Sequence, residues 1–128
     1  MVILDTNVII DHLRQEKGQE TLLKRLIRNN LQEDLAISII SIQELYRGQS
    51  TKDSEKENNI LTTVSALKIL SYSYEAAELA GKLARDSKGT IEFADAAIAA
   101  TALVNNGSLA TLNKKDFVQI PNLELLDI

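Results

Sequence analysis

Short apolar runs alternate along this chain with longer segments in which apolar residues recur every three or four positions. Val2–Leu4 and Leu35–Ile40 are almost entirely apolar, as is typical of strands buried on both faces of a sheet. Leu67–Leu70, Ser108–Thr111 and Leu123–Leu126 are runs of the same kind. The pattern therefore predicts five short strands separated by other structure.

The segments between these runs have helical spacing, and some end at typical helix-stop residues such as Gly48. Because strands that alternate with helices favour a parallel sheet covered on both faces, we expect a three-layer α/β/α domain in which helix exceeds strand. The 128 residues are expected to form one domain, spanning residues 1–128. The predicted helices are Asn7–Leu13, Glu20–Asn30, Ser41–Gly48, Ile60–Ala66 with a start in the polar segment before it, Tyr74–Ser87 and Glu92–Asn105.

Composition narrows the class of protein. The chain has no cysteine, which excludes disulfides and thiolate zinc sites, and a single histidine, His12, which excludes ribonuclease chemistry based on a histidine pair. His12 is predicted to be a surface residue of the first helix. Because no apolar run is long enough to span a membrane and no signal peptide is evident, a cytoplasmic location is expected. The net charge of −4 argues against nucleic-acid binding through a broad positive surface, but not against a nuclease whose acidic residues bind cations.

Four acidic residues follow strands or open helices in this pattern. Asp5 comes directly after the first strand, Glu44 lies in the first turn of the helix after the second, and Asp116 follows the fourth. Asp95 opens the most apolar helix of the chain. Since functional groups collect at the carboxyl ends of parallel strands, these four side chains are predicted to share one edge of the sheet.

Each of these residues also has an ordinary structural explanation. Asp5 could cap the first helix, and Glu44 could complete a capping box with Ser41. Asp95 suits the positive end of a helix dipole, and aspartate is common in turns such as the one around Asp116. Taken together, however, four carboxylates at one edge would repel one another unless they bound a cation. Their oxygens suit Mg²⁺ or Mn²⁺ better than zinc, which points to phosphodiester chemistry.

These motifs resemble those of PIN-domain nucleases, and more narrowly those of the VapC-type toxins of bacterial and archaeal toxin–antitoxin pairs. The resemblance covers the whole chain and is carried by Leu4–Ile10, Ser38–Leu45, Asp95–Ala102, Thr111–Phe117 and Ile120–Leu126.

The resemblance implies an endoribonuclease that hydrolyses RNA with the help of Mg²⁺ (or Mn²⁺). It also implies a homodimer and a cognate antitoxin protein that blocks the site, and the absence of a long apolar run predicts no membrane association. The residues implied as metal ligands and catalytic groups are Asp5, Glu44, Asp95 and Asp116, supported by Thr6 and Asn113.

Two positions depart from the family pattern, and other interpretations stay open. Leu112 stands where relatives commonly carry a basic residue, and Glu92 lies near the position of an additional acidic residue. Phosphotransferases of the haloacid dehalogenase type also begin with a strand-end aspartate, but they need a second aspartate where this chain has Asn7. A receiver-like domain would need an acceptor aspartate after the third strand, where Ser71 stands. The remaining alternative is a non-catalytic PIN-like domain that binds RNA or a partner.

Overall fold

The computed structural model describes residues 1–29 and 34–127. Its strands are β1 (Val2–Leu4), β2 (Leu35–Ser38), β3 (Lys68–Leu70) and β4 (Ser108–Ala110). They form one parallel sheet in the order β3-β2-β1-β4. Because β1 pairs with β2 on one side and with β4 on the other, the connections diverge at its carboxyl end, where such sheets open a crevice.

Helices cover both faces of the sheet. Ile3 and Leu109 belong to a core with the two helices that precede β4, whereas Val2, Leu4 and Ile37 pack with the four earlier helices. This separation into two cores confirms the predicted three-layer α/β/α fold. The helices are α1 (Thr6–Arg14), α2 (Leu22–Asn29), α3 (Ile39–Arg47), α4 (Ser54–Ser65), α5 (Tyr74–Asp86) and α6 (Phe93–Val104), with short 3-10 turns at Gln49–Lys52 and Lys114–Asp116.

Polar caps set the starts of two helices, of which α3 begins earlier than the sequence pattern predicts. Helix α3 starts at Ile39 because the hydroxyl of Ser38 caps it, accepting a hydrogen bond of 3.1 Å from the backbone N–H of Ile40. Helix α4 starts at Ser54, within the polar segment where its start is predicted, because the Asp53 carboxylate accepts hydrogen bonds from two amides of the first turn. Polar caps of this kind fix a helix start that apolar spacing alone does not reveal.

The predicted fifth strand, Leu123–Leu126, is reduced to a single bridge between Leu109 and Leu125. Two backbone bonds of 2.8 Å make this bridge, one from Leu109 N–H to Glu124 and one from Leu126 N–H to Leu109. Alternate residues of a strand point their amides to opposite sides, so in the three-residue β4 only the middle residue faces this way. The ladder therefore cannot extend.

Two further expectations about the first half of the chain have different outcomes. Asn30, with which the predicted second helix ends, lies outside the described residues. The prediction that His12 is a surface residue holds only in part, because its ring is half-buried and Nδ1 lies 2.8 Å from the hydroxyl of the buried Thr21. This contact ties α1 to the residue before α2. None of the helices in the two described ranges is long and apolar enough to cross a membrane.

Gly107, in the turn between α6 and β4, is expected to be intolerant of any side chain. A Cβ at this position would collide with Cδ1 of Ile3, which is fully buried, and would lie 3.1 Å from the carbonyl oxygen of Met1. We therefore expect Gly107→Ala to lower the free energy of unfolding by about 1–3 kcal/mol, as overpacking of a core does. Urea denaturation followed by circular dichroism measures this change.

Gly81→Ala is the matched control. Gly81 lies within α5, and a Cβ there would meet no atom within 4 Å. Because alanine favours the helix, we expect this variant to gain up to about 1 kcal/mol. A loss of stability in both variants, or in neither, would contradict the steric explanation.

Candidate functional site

Asp5 lies at the carboxyl end of β1, and its side chain is only 5% exposed. By position it is the N-cap of α1, but its side chain makes no capping hydrogen bond. Instead Oδ2 accepts a hydrogen bond of 2.7 Å from the hydroxyl of Thr111, the first residue after β4. The carboxylate therefore turns into the crevice between β1 and β4.

Glu44 projects from α3 toward the start of α1. Its Oε1 lies 2.6 Å from the hydroxyl of Thr6, which in turn lies 2.8 Å from the hydroxyl of Ser41. A threonine hydroxyl has one proton and an ionised carboxylate can only accept, so Thr6 donates to Glu44 and accepts from Ser41. The alternative explanation, a capping box of Ser41 and Glu44, does not hold, because Ser41 is buried inside α3 and both side chains hydrogen-bond to Thr6.

Asp116 is held by the segment that follows β4. The side-chain amide of Asn113 donates a hydrogen bond to Asp116 Oδ2, and the backbone N–H of Asn113 donates to the Thr111 hydroxyl at 3.0 Å. Thr111 thus touches both the residue that holds Asp116 and the carboxylate of Asp5. Aspartate in this turn is not merely a turn former, because its carboxylate is oriented by a neighbouring donor.

Asp95 lies in the first turn of α6, with its side chain half-buried. Burial, and after it the negative charges of Asp5, Asp116, Glu92 and Glu44 in that order of importance, together raise its pKa from the ordinary 3.8 to about 6. All four predicted carboxylates are therefore electrostatic neighbours. Glu92 is the exposed N-cap residue of α6 and contributes only its charge.

Burial also raises the pKa of Asp5. Hydrogen bonds from the side chain of Thr111 and the backbone of Thr6 oppose this effect, while the charges of Glu44 and Asp116 reinforce it. Burying a carboxylate without full compensation is costly, and a fixed positive charge would relieve that cost. The crevice therefore destabilises the ionised forms of Asp5 and Asp95.

The sequence predicts Asp5, Glu44, Asp95 and Asp116, with Thr6 and Asn113 in support, and the structure places these residues and the donor Thr111 around one crevice. Two further participants are not predicted. Ser41 was assigned only to helix capping. Asn7 was read only as a missing aspartate, yet Oδ1 accepts from the backbone N–H of Leu112 at 3.3 Å and Nδ2 lies 3.4 Å from the Thr111 hydroxyl. Its position two residues after Asp5 was the one available signal.

The chemical nature of the candidate metal ligands in this crevice suits a divalent cation. Every candidate ligand is a carboxylate oxygen, which hard cations such as Mg²⁺ and Mn²⁺ prefer. Within residues 1–29 and 34–127, no three acidic or histidine side chains close around a single point that could hold an ion. Binding would therefore draw the carboxylates inward, and the donors from Thr6, Thr111 and Asn113 orient three of them for that purpose.

A cavity of about 530 Å³ adjoins Glu44 between α1, α3 and α4. Its lining includes the apolar side chains of Ile10, Leu13 and Leu45. Arg14 and Lys56 also line it, so this space beside Glu44 has apolar and basic walls.

Comparisons with known proteins agree with one another. Residues 2–123 match the family model described as PIN domain. The chain is 33% identical over 127 residues to "Ribonuclease VapC19" of Mycobacterium tuberculosis, with 97% of this chain and 98% of that protein covered. The fold is also similar to that in the crystal structure of VapBC2 from Rickettsia felis bound to a DNA fragment from its promoter, with a TM-score of 0.85 and 26% sequence identity. This match covers 99% of this chain and 98% of the other. A toxin–antitoxin complex from Klebsiella pneumoniae gives a TM-score of 0.77 and 28% identity over 100% of both chains.

Asp95→Asn is expected to stabilise the metal-free protein at pH 7.5 and to lose this advantage near pH 4. Between the ordinary value of 3.8 and about 6, the folded protein holds a proton on Asp95 that the unfolded chain has released. Wild-type stability therefore falls as the pH rises through this window and stays lower above it. Because the side chain is only half-buried and water screens its charge, we expect a gain on the order of 1 kcal/mol. Urea denaturation in EDTA at both pH values measures it.

Asp86→Asn provides the matched control for this measurement. Arg85 holds the pKa of the Asp86 carboxyl below its ordinary value, so removing that charge brings no gain at pH 7.5. An equal gain for Asp95→Asn at pH 4 and pH 7.5 would show that the unfavourable ionisation of Asp95 is not its cause.

Proposed function

The chain belongs to the PIN-domain family, and from this premise we propose that it is a divalent-metal-dependent endoribonuclease, the toxin of a type II toxin–antitoxin pair. The observation that carries the proposal is the convergence of Asp5, Glu44, Asp95 and Asp116, whose charges act on one another at the crevice between β1 and β4. The name of the mycobacterial relative, a ribonuclease, supports RNA as the substrate. We take residues 1–128 as one catalytic domain.

We propose Asp5, Glu44, Asp95 and Asp116 as the ligands of Mg²⁺ or Mn²⁺. A bound cation would supply activated water and would stabilise negative charge on the scissile phosphate and the leaving oxygen. The chain supplies the orientation, because Thr6, Thr111 and Asn113 hold three of the carboxylates by hydrogen bonds.

The same charges govern how the substrate binds. Four carboxylates without a cation repel a phosphodiester, so RNA binding at this crevice depends on the metal as much as hydrolysis does. A protein that only bound RNA would gain nothing from these residues, and for this reason catalysis is favoured over the non-catalytic alternative.

We further propose a cognate antitoxin as a partner and a homodimer as the active assembly. The antitoxin is supported by the similar structures, of which the complex from Klebsiella pneumoniae is described as a toxin–antitoxin complex. The cavity beside Glu44, with its apolar lining, offers a partner protein buried contact next to the crevice. The homodimer rests on family membership alone.

Asp5→Asn is expected to abolish cleavage of RNA, with a loss of at least about 100-fold, while leaving the protein folded. The substitution keeps the size of the side chain but removes a central negative charge from the ligand set. Purified wild-type and variant proteins would be incubated with total cellular RNA in Mg²⁺, Mn²⁺ or EDTA, and the products separated on a denaturing gel. Loss of cleavage in the identically prepared Asp5→Asn excludes a contaminating nuclease, and Asp86→Asn, which removes a carboxylate away from the site, should cut like the wild type.

The same experiment can refute the proposal. Cleavage that survives in EDTA or in Asp5→Asn would contradict the metal site. Tight RNA binding in EDTA without any cleavage in either metal would favour the non-catalytic alternative.

The partner is tested separately, by growth and by purification. Induced expression of the wild-type chain should arrest a bacterial host, whereas Asp5→Asn should not. Purification of the chain from its native cell should recover a small protein whose co-expression restores growth. Arrest by the Asp5→Asn variant, or recovery of the wild type without any partner, would contradict the toxin–antitoxin assignment.

A further inference from the structure

Thr111, the first residue after β4, hydrogen-bonds to Asp5, one of the proposed metal ligands. Its hydroxyl donates to Asp5 Oδ2 at 2.7 Å, and its oxygen receives two hydrogen bonds. One comes from the backbone N–H of Asn113 at 3.0 Å and the other from Nδ2 of Asn7 at 3.4 Å. A hydroxyl has one proton and two lone pairs, so all of its hydrogen-bonding capacity is used.

This arrangement fixes the direction of the hydroxyl proton. Because N–H groups occupy both lone pairs of the Thr111 oxygen, the proton has only Asp5 to bond. If Asn7 were absent, one lone pair would be open to water and the hydroxyl could rotate away from Asp5. The side chain of Asn7 therefore acts on Asp5 without touching it.

The orientation of the Asn7 amide is itself determined by a second contact. Oδ1 accepts from the backbone N–H of Leu112 at 3.3 Å while Nδ2 faces the Thr111 hydroxyl. A flipped amide would set its N–H₂ group against the N–H of Leu112, which places two donors together. Both bonds are long and individually weak, but only one orientation satisfies the pair.

We infer that Asn7 is a positioning residue of the metal site, which holds Thr111 so that its proton orients the Asp5 carboxylate toward the cation. The inference rests on the proposed function, since it assumes that Asp5 is a metal ligand. It assigns to Asn7 a role outside the four carboxylates and their direct donors. Asn7 also ties the segment carrying Asn113 and Asp116 to the start of α1, so the ligands on the two sides of the crevice keep their spacing.

The test is a double-mutant cycle on Mn²⁺ affinity, measured by electron paramagnetic resonance of free Mn²⁺ in the absence of RNA. Asn7→Ala and Thr111→Val should each weaken Mn²⁺ binding about tenfold, as removal of residues that orient metal ligands does. In the Thr111→Val background, Asn7→Ala should cost much less than tenfold, because its route to Asp5 has already been removed. Thermal unfolding of each variant establishes that it is folded.

Asn105→Ala is the matched control. The side-chain amide of Asn105 also donates a local hydrogen bond, to the carbonyl of Thr101 at 2.7 Å. Asn105 lies at the opposite end of α6 from Asp95. It should change Mn²⁺ affinity less than twofold. An equal loss in Asn105→Ala would attribute the effect to general destabilisation and overturn the inference.

The remaining outcomes separate this inference from the proposed function. If the wild type binds Mn²⁺ and Asn7→Ala binds it equally well, the positioning role is refuted while the metal site stands. Full additivity of Asn7→Ala and Thr111→Val would refute the route through Thr111. If the wild type binds no Mn²⁺, the proposed function fails, and the inference fails with it.

Discussion

The structure depends on one unfavourable interaction, the confinement of negative charge at the carboxyl end of β1. Asp5 is nearly inaccessible to water, and three other carboxylates act on the same space. Desolvation and mutual repulsion both oppose ionisation there, as the raised pKa values of Asp5 and Asp95 show. A bound cation would relieve both effects.

The surrounding scaffold is built to tolerate this interaction. β1 is fully buried and has a neighbouring strand on each side, so its end is fixed in place. Helix α6 is buried from Ala96 to Ala102, where small side chains allow close packing against α5 and the sheet. Rigid elements therefore carry the acidic residues, and hydroxyl and amide groups from Thr6, Thr111 and Asn113 orient their side chains.

The net charge of −4 is compatible with the proposed action on RNA. Much of the negative charge at the crevice belongs to groups that a divalent cation would neutralise. Selectivity for a substrate can then come from the metal and from the walls of the crevice. The cavity beside Glu44 already adds Arg14, Lys56 and apolar side chains to those walls.

The sequence by itself determined the layered fold and the positions of the four acidic residues. Apolar runs, helical spacing and stop residues are local properties, and carboxyl ends of parallel strands always share an edge, so Asp5 and Asp116 could be brought together without coordinates. The sequence also indicated Thr6 and Asn113 through the family resemblance. Where local signals competed, as at Ser38 and Ser41, the helix start was placed too late.

Only the tertiary structure decided which donor holds which carboxylate. Thr111 reaches Asp5 across 106 residues of sequence and Thr6 reaches Glu44 across 38, so both pairings follow from strand order and from the packing of α1 against α3. The roles of Ser41 and Asn7 emerge in the same way. A hydrogen bond needs its two atoms within a few ångströms, and no spacing along the chain specifies such a distance between residues this far apart.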